Sequence, residues 1–314
     1  MNLFLTIDVE TYTGDYEMDI YGRGKGLTYL LNLLGRFEIS ATFFIEALGG
    51  TRWGITKLQK MCTLILEFGH DVQLHVHPKV ALIKGVEIKN DRLSKHDKKT
   101  QKILIKTGLE ILNDCGVKNV IAFRSGDLAA NEDTLSVMET LGLFLSSNRD
   151  LDKKSSIATE INEYFPIRND LSQKGKMFDL PVTSFRSSLP FFDGPYRHFE
   201  ICALGALEME DMLSRMMRTG YSCATILTHP GEYFRRNKND TVFVSKNCAR
   251  LERLLNYAKE ANGLQFLTVN RCLEEATVPA LPPPELALKL NYSLMRLLAQ
   301  YLDRIRMLYY SLPR

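Results

Sequence analysis

The sequence lacks a long hydrophobic run and a close cysteine pair, and its opening residues do not have the pattern of a leader segment; each observation argues against a class of protein. None of its 314 residues falls in an uncharged apolar stretch of about 18 residues, so no membrane-spanning helix is predicted. None of the six cysteines forms a C-x-x-C pair, and buried free thiols in a reducing compartment are expected. The opening MNLFLTIDVE has no basic segment followed by an apolar one, which predicts no signal peptide and a cytoplasmic location.

Strong net charge is absent too. The chain has 40 Lys and Arg against 37 Asp and Glu, a net charge of +3. Because nucleic-acid binding needs a clustered basic face, no nucleic-acid partner is predicted. The whole excess lies in residues 285–314, whose charged residues are Lys289, Arg296, Arg304, Arg306 and Arg314 against Glu285 and Asp303.

Short apolar runs alternate with amphipathic stretches along most of the chain. The predicted strands are Leu3–Ile7, Ala41–Ile45, Val72–Leu74, Val120–Phe123, Leu143–Ser146, Met177–Val182, Ala224–Leu227 and Gln265–Val269. The predicted helices are Leu27–Phe37, Ile55–Phe68, Thr100–Asp114, Thr134–Leu141, Met209–Arg218 and Asn247–Ala261. This alternation indicates parallel βαβ units. An α/β fold with about seven strands in a distorted (β/α) barrel is expected, and an open doubly wound sheet is the alternative.

Two long stretches and a proline run divide this pattern. Lys79–Lys98 and Asn148–Lys176 carry no clear periodicity and are predicted to be irregular loops, which are often functional. The run Leu281–Pro284 separates a barrel at residues 1–276 from a linker and tail at residues 277–314.

The tail is predicted to form one amphipathic helix. Its apolar stripe consists of Leu286, Leu290, Leu294, Leu297, Tyr301, Ile305, Leu308 and Leu312, at helical spacing. Residues 285–312 could dock on the barrel, pair with a partner or a second copy, or lie on an anionic membrane surface.

Polar residues of two kinds occur in pairs at predicted strand ends. Asp8 and Glu10 are two residues apart, as are His75 and His77, and side chains at i and i+2 share a strand face. Two imidazoles on one face are a natural pair of zinc ligands. Solvated acids and incidental surface histidines are the alternatives. His70 is out of phase with this pair and is expected to be structural.

Single polar residues end three further apolar strands. Arg124 follows Phe123, His229 follows Thr228, and Asp179 follows Phe178. Each alone could be structural or exposed. Together with the two pairs they form a series of strand ends, and a barrel collects such ends at its catalytic face.

These motifs resemble the polysaccharide deacetylases, the NodB-homology group or carbohydrate esterase family 4, over about residues 1–275. The matching segments are TIDVE at 6–10, ATFFI at 41–45, GHDVQLHVHP at 69–78, FRSGD at 123–127 and LTHP at 227–230. The family's second opening Asp is Val9 here, its histidine spacing is shorter, and its Asp-x-Trp element has no counterpart. These departures indicate a divergent Asp-x-Glu branch.

The resemblance implies a metal-dependent carbohydrate deacetylase, a hydrolase of linear amide C–N bonds, on a distorted barrel. Glu10, His75 and His77 would hold a divalent metal, with zinc expected and cobalt or nickel as alternatives. Asp8 would be the catalytic base and His229 the acid.

Two further residues would support these groups: Arg124 would orient Asp8, and Asp179 would orient His229. The substrate would be an N-acylated sugar of surface-polysaccharide or glycolipid biosynthesis. A deformylase or other amidohydrolase, and an inactive saccharide-binding protein, are the alternative functions.

Overall fold

The protein is a curled parallel sheet with helices packed around it. The computed structural model describes residues 1–151, 161, 164–165, 169–237 and 240–311. Over these residues the strands are β1 (Asn2–Val9), β2 (Thr42–Glu46), β3 (Asp71–Val76), β4 (Ala122–Ser125), β5 (Leu145–Ser146), β6 (Ser172–Lys174), β7 (Met177–Asp179), β8 (Ser184–Arg186), β9 (Tyr196–His198), β10 (Cys223–Thr228), β11 (Phe234–Asn237), β12 (Asp240–Phe243) and β13 (Gln265–Phe266). The helices are α1 (Leu27–Phe37), α2 (Gly49–Trp53), α3 (Ile55–Glu67), α4 (Lys98–Asp114), α5 (Glu132–Thr140), α6 (Pro190–Asp193), α7 (Ala206–Arg218), α8 (Ser245–Glu260), α9 (Cys272–Glu275) and α10 (Leu290–Ser311).

The main sheet has the strand order β10-β1-β2-β3-β4-β5-β7-β6, and β13 pairs with the start of β1. All of these pairings are parallel except β6 with β7. The parallel register brings the carboxyl ends of β1, β3, β4 and β10 to the same edge. The predicted site residues lie at or just after these strand ends in the sequence, so the register brings them to one edge of the sheet.

An irregular segment replaces a regular strand between β7 and β10. The Thr183 amide donates to the Thr225 carbonyl, and the Ile201 amide donates to the Leu227 carbonyl. The Phe199 amide in turn donates to the Thr183 carbonyl. These single hydrogen bonds curl the sheet toward closure, so the predicted distorted barrel is confirmed.

Burial explains why these segments form a barrel. Strand β1 is buried along nearly its whole length, as expected for a parallel strand covered on both faces. Helix α1 turns Leu27, Leu30, Leu31 and Leu34 into the core, which is the spacing of an amphipathic helix. Helix α5 starts at a side-chain cap, since the Asn131 side chain accepts from the Thr134 amide at 3.0 Å.

Three sequence predictions need correction at the level of secondary structure. Strand β7 ends at Asp179 rather than Val182, where Pro181 follows and cannot donate to a sheet ladder. Within the stretch 148–176, predicted to be irregular, Ser172–Lys174 forms strand β6, while residues 152–160, 162–163 and 166–168 lie outside the described residues. The hairpins β8–β9 and β11–β12 were not predicted, because their strands are too short to show a period.

The tail runs back along the barrel before α10 begins. The Arg186 amide donates to the Leu286 carbonyl and the Leu288 amide donates to the Arg186 carbonyl, so residues 286–288 extend the β8–β9 hairpin. Helix α10 confirms a helical tail from Leu290 onward. Leu286, the first residue of the predicted stripe, lies instead in the extended segment before the helix, and Leu312, the last, lies outside the described residues. Over the part of the chain described, no helix is both long enough and apolar enough to cross a bilayer.

Candidate active site

A cavity of about 650 Å³ opens at the carboxyl ends of the strands. Asp8, Glu10, His75, His77 and His229 all line it. The sequence prediction that these residues share one site is therefore matched by their positions. Carboxylates and imidazoles make up much of the cavity lining, which is the chemistry of a metal or acid–base centre.

Both histidines of the predicted pair direct one ring nitrogen at Glu10. His75 Nε2 lies 3.0 Å from Glu10 Oε1, and His77 Nε2 lies 3.3 Å from the same oxygen. The two rings are edge to face, with centroids 5.0 Å apart. Both histidines are buried, because β3 is an interior strand and its i and i+2 side chains point to the same face.

The other ring nitrogen of each histidine has an acceptor. His75 Nδ1 is 2.8 Å from the Arg124 carbonyl, so Nδ1 carries the proton and donates. His77 Nδ1 is 2.9 Å from Asp91 Oδ2, and Asp91 Oδ1 accepts from the Lys79 amide. Both Nε2 atoms therefore face Glu10, and His77 Nε2 also lies 3.1 Å from Tyr12 Oη. Outer-shell contacts such as those at Nδ1 fix ring tautomer and orientation in metal sites.

The charges around Glu10, His75 and His77 favour a bound cation. Burial alone would lower the pKa of His77, but hydrogen bonds to Asp91 and Glu10 raise it to about 10. Burial would raise the pKa of Glu10, yet the hydrogen bonds from His75 and His77 hold it far below its usual range. A proton or a divalent metal ion can supply the positive charge, and Glu10, His75 and His77 fit a metal by donor type and spacing.

Gly126 is required for the position of His77. A Cβ built on Gly126 would lie 2.2 Å from the His77 ring, a distance at which the imidazole must move. The loop around Gly126 also holds Asp127 and Leu128 at positive φ, where non-glycine residues are strained. The motif FRSGD therefore supplies space for the site as well as Arg124.

Asp8 and Arg124 form a buried ion pair beside the histidines. Arg124 Nη1 donates to Asp8 Oδ1 at 2.6 Å and to Thr6 Oγ1 at 3.0 Å, while Nη2 donates to Ser147 Oγ at 2.8 Å. The guanidinium lies over the Phe44 ring, 4.2 Å from its centroid. A buried arginine with this many partners holds the carboxylate in one orientation.

His229 lies near the Asp8–Arg124 pair, and a carboxylate contacts its Nδ1. His229 Nδ1 lies 2.7 Å from Glu232 Oε1 and 3.6 Å from Glu200 Oε1. Burial would lower the pKa of His229, but the hydrogen bond to Glu232, together with the charges of Asp8, Glu232 and Glu10, raises it to about 9. The imidazolium form of His229 is therefore stable at neutral pH. Its Nε2 is not used by Glu232 and is available to a substrate in the cavity.

Asp179 does not take the place expected from the sequence. Its Oδ2 accepts from Arg149 Nε at 2.7 Å, and both side chains are buried. Asp179 lies at the end of β7, beyond β5 in the sheet, while His229 follows β10. The carboxylate that contacts His229 is Glu232, three residues further along the chain, so the prediction that Asp179 orients His229 is wrong.

Sequence reasoning also missed other polar residues of the site. Asp91 lies in the loop 79–98, and only the length of that loop signalled a function. Tyr12 Oη donates to Glu10 Oε2 at 3.2 Å and packs edge-on against His77. His198 Nε2 pairs with Asp150 Oδ2 at 2.8 Å, and both line the cavity. Nothing in their local sequence marks these residues, because they come from loops and from the short strand β9.

Comparison with known proteins gives structural similarity without sequence similarity. No family model matches the sequence, and no curated protein matches it. A candidate polysaccharide deacetylase from Mycobacterium smegmatis superposes with a TM-score of 0.59 at 15% identity, covering 91% of this chain and 94% of that one. A 4-alpha-glucanotransferase from Thermococcus litoralis superposes with a TM-score of 0.56 at 10% identity, covering 92% of this chain and 42% of that one.

A structure described as a family 4 carbohydrate esterase from Streptomyces lividans has a TM-score of 0.46 at 14% identity, covering 88% of this chain and 97% of that one. At such identities the similarity concerns the fold, and the fold is shared by proteins of different activity. The chain has the distorted (β/α) barrel that its motifs led us to expect.

Proposed function

We propose that the protein is a metal-dependent deacetylase that hydrolyses an acylamino group on a sugar. One observation carries the proposal: the Nε2 atoms of His75 and His77 converge on Glu10, and Asp8 and His229 each bring a donor atom within 4.8 Å of Glu10. A metal site flanked by a candidate base and a candidate acid is what amide hydrolysis needs.

Glu10, His75 and His77 would hold the divalent metal. When bound, such an ion lowers the pKa of a coordinated water and polarises the acyl carbonyl. Zinc is the metal we expect from a donor set of two imidazoles and one carboxylate, with cobalt and nickel as alternatives. Asp91 and the Arg124 carbonyl hold the two imidazole rings in the orientation that this requires.

Asp8 is the proposed general base. It is positioned to take the proton of the attacking water, and Arg124 fixes one carboxylate oxygen through the 2.6 Å hydrogen bond. Because Arg124 also binds Thr6 and Ser147, it cannot follow Asp8 if that side chain rotates. The base is therefore held in one orientation before the substrate arrives, which reduces the cost of reaching the transition state.

His229 is the proposed general acid. Its imidazolium donates the Nε2 proton to the nitrogen of the breaking C–N bond, which leaves as a neutral amine. Glu232 stabilises the imidazolium through Nδ1. The acyl group leaves as a carboxylic acid that ionises, so the reaction consumes one water molecule and releases acetate and an amino sugar.

The substrate proposal rests on the cavity. Its walls combine Asp150, His198, Tyr196 and Arg197 with the catalytic groups, which offers donors and acceptors for several hydroxyl groups. Polar cavities of this kind suit sugars better than apolar acyl chains. We propose an N-acylated sugar of surface-polysaccharide or glycolipid biosynthesis, with a formylated or other amide substrate as the alternative.

Two substrates with different leaving groups test the role of His229. An amine leaves poorly without a proton, whereas a phenolate leaves readily. We expect His229→Ala to lose about 10²–10⁴-fold in rate on an N-acetyl sugar and far less on an aryl acetate, with unchanged metal content. Equal losses on both substrates would contradict the acid role, and no turnover by the metal-loaded wild type on either would favour a saccharide-binding protein.

A panel of N-formyl and N-acetyl sugars separates deformylase from deacetylase.

A further inference from the structure

Helix α10 is attached to the barrel by polar contacts rather than by its apolar stripe. Arg296 Nε donates to Glu208 Oε2 at 2.9 Å and Ser293 Oγ donates to Glu208 Oε1 at 2.6 Å. Lys289 Nζ adds a 2.5 Å bond to Asp211. Arg296 and Glu208 are buried at this contact, so α7 holds the polar side of the first turns of α10.

The apolar residues of the same turns face solvent. Leu294, Leu298 and Tyr301 expose 50%, 58% and 62% of their surface. Leu290, Met295 and Leu302 are exposed beside them. Residues three and four apart lie on one side of a helix, so these side chains form a continuous strip.

A second exposed apolar group lies on the hairpin that contacts the buried side of α10. Phe191, in the connection between β8 and β9, is 99% exposed. Ser188 Oγ, three residues earlier, hydrogen-bonds Ser293 Oγ at 2.9 Å, and Ser293 is next to Leu294 in α10. The far end of the hairpin is therefore held beside the first turns of the helix.

The same hairpin forms part of the cavity wall. Tyr196, Arg197 and His198 of β9 line the cavity, and Tyr196 Oη donates to Glu285 Oε1 at 3.0 Å in the tail. The apolar surface of α10 and Phe191 is thus joined to the candidate active site by three residues of one strand. A partner bound to this surface is therefore close to the opening of the candidate active-site cavity.

The charge of the tail indicates the occupant. Lys289 and Arg296 are paired with acids of α7, but the sequence after Leu297 adds Arg304, Arg306 and Arg314 against the single acid Asp303. A helix with exposed leucines and an excess of arginine matches the interfacial helices that lie on anionic lipid. A fully exposed aromatic side chain at a hairpin end adds an apolar group suited to the same boundary.

We propose that α10 and Phe191 dock the protein on an anionic membrane surface and so present the cavity to a lipid-linked N-acyl sugar. The substrate part of this inference rests on the proposed function, and the docking part does not. Helix α10 would lie in the plane of the interface, with its strip of exposed leucines among the lipid headgroups and its polar side on α7.

Vesicle co-sedimentation of the full chain tests the docking. We expect binding to vesicles of phosphatidylcholine with phosphatidylglycerol, weaker binding to phosphatidylcholine alone, and loss of binding at high salt. The double variant L294S/L298S and the variant F191S should each weaken binding, the former by about tenfold or more. The control L66S removes an exposed leucine on α3 and should bind as the wild type does.

Two further measurements distinguish failure of the docking proposal from failure of the proposed function. Activity of L294S/L298S on a water-soluble N-acetyl sugar should equal that of the wild type, whereas activity on a vesicle-bound lipid-linked N-acetyl sugar should fall with binding. If the wild-type protein does not bind anionic vesicles, the docking proposal is overturned, even if the protein is fully active. A lipid-free dimer in sedimentation velocity that L294S/L298S abolishes overturns it too, because a second copy then covers the strip. If vesicles bind but neither substrate is turned over, the proposed function fails and the docking stands.

Discussion

The two halves of the candidate site are built differently. Glu10, His75, His77 and the Asp8–Arg124 pair lie at the ends of β1, β3 and β4, which are joined by regular parallel ladders. The half around His229 has one strand of the main sheet, β10, and otherwise depends on the short hairpin strand β9 and on irregular segments near residues 150 and 199–203. We call the two parts the metal half and the acid half after their proposed roles: the first is fixed by strand register, and the second by individual side-chain contacts.

This difference decides what the sequence could predict. Alternation along a strand places i and i+2 side chains together, so the pairing of Asp8 with Glu10 and of His75 with His77 in one cavity was predictable. Arg124 was expected to pair with a carboxylate because an unpaired buried guanidinium is costly. Each of these inferences needs only the periodicity of regular elements.

The acid half offered no such rule. The partner of His229 was assigned to Asp179 on the basis of a motif order, and the structure gives Glu232 instead. A local turn decides this contact, since Glu232 lies in the turn directly after His229 and also accepts from the His229 amide. Asp91 and the Asp150–His198 pair depend on where long loops return, and neither period nor composition determines that.

The fold shows the same contrast. The helices α1, α3, α4, α5, α7 and α8 and the strands β1 to β4 and β10 were predicted to within a few residues, because each buries a periodic apolar face. Short hairpins and the closing contacts at Thr183 and residues 199–201 were not predicted. Their hydrogen bonds link positions far apart in the chain.

The largest effect is expected in the metal half. His75→Ala and His77→Ala should each lose the bound metal and all measurable turnover, since each removes one of three protein ligands. Metal analysis of purified protein checks this, with H70A as the matched control because His70 is a buried histidine with its Nδ1 on the Ala41 amide, away from the cavity. Full metal occupancy in H75A and H77A would contradict the assignment.

Asp8→Asn should separate catalysis from metal binding. We expect the variant to keep its metal and to lose about 10²–10⁴-fold in kcat, the usual size of general-base catalysis. Metal content and single-turnover kinetics together check this. If instead metal is lost and turnover is only slightly reduced, Asp8 is a ligand and Glu10 becomes the candidate base.

A smaller effect is expected for the carboxylate behind His77. Asp91→Asn keeps an acceptor for Nδ1 but removes the charge, and loss of such outer-shell partners commonly weakens metal affinity by about 10–100-fold. Competition with a chelator measures the change. Affinity equal to that of the wild type would show that Asp91 does not support the metal ligand.

The pH profile sharpens the comparison within the acid half. The raised pKa of His229, about 9, keeps the imidazolium protonated at neutral pH, so the rate should fall as pH rises through about 9. Glu232→Gln removes the main group that raises this pKa, so the fall should move to lower pH, toward the ordinary histidine value of about 6.5.

Asp179→Asn is the matched control for that shift. It should leave the alkaline fall where it is, because Asp179 contacts Arg149 and not His229. Its effect should appear as a lower melting temperature, since the substitution removes the buried Arg149–Asp179 ion pair. An alkaline fall that moves in D179N and stays in E232Q would restore the assignment made from the sequence.

The central claim is that Glu10, His75 and His77 form the metal centre, and anomalous diffraction from cobalt-loaded crystals tests it most directly. Among the described residues two other clusters have suitable donors, Asp8 with Glu10 and His229, and Glu200 with His229 and Glu232. The account predicts one strong peak within bonding distance of Glu10, His75 and His77, and none between Glu200 and Glu232. A peak on the His229 side with the histidine pair empty would contradict it.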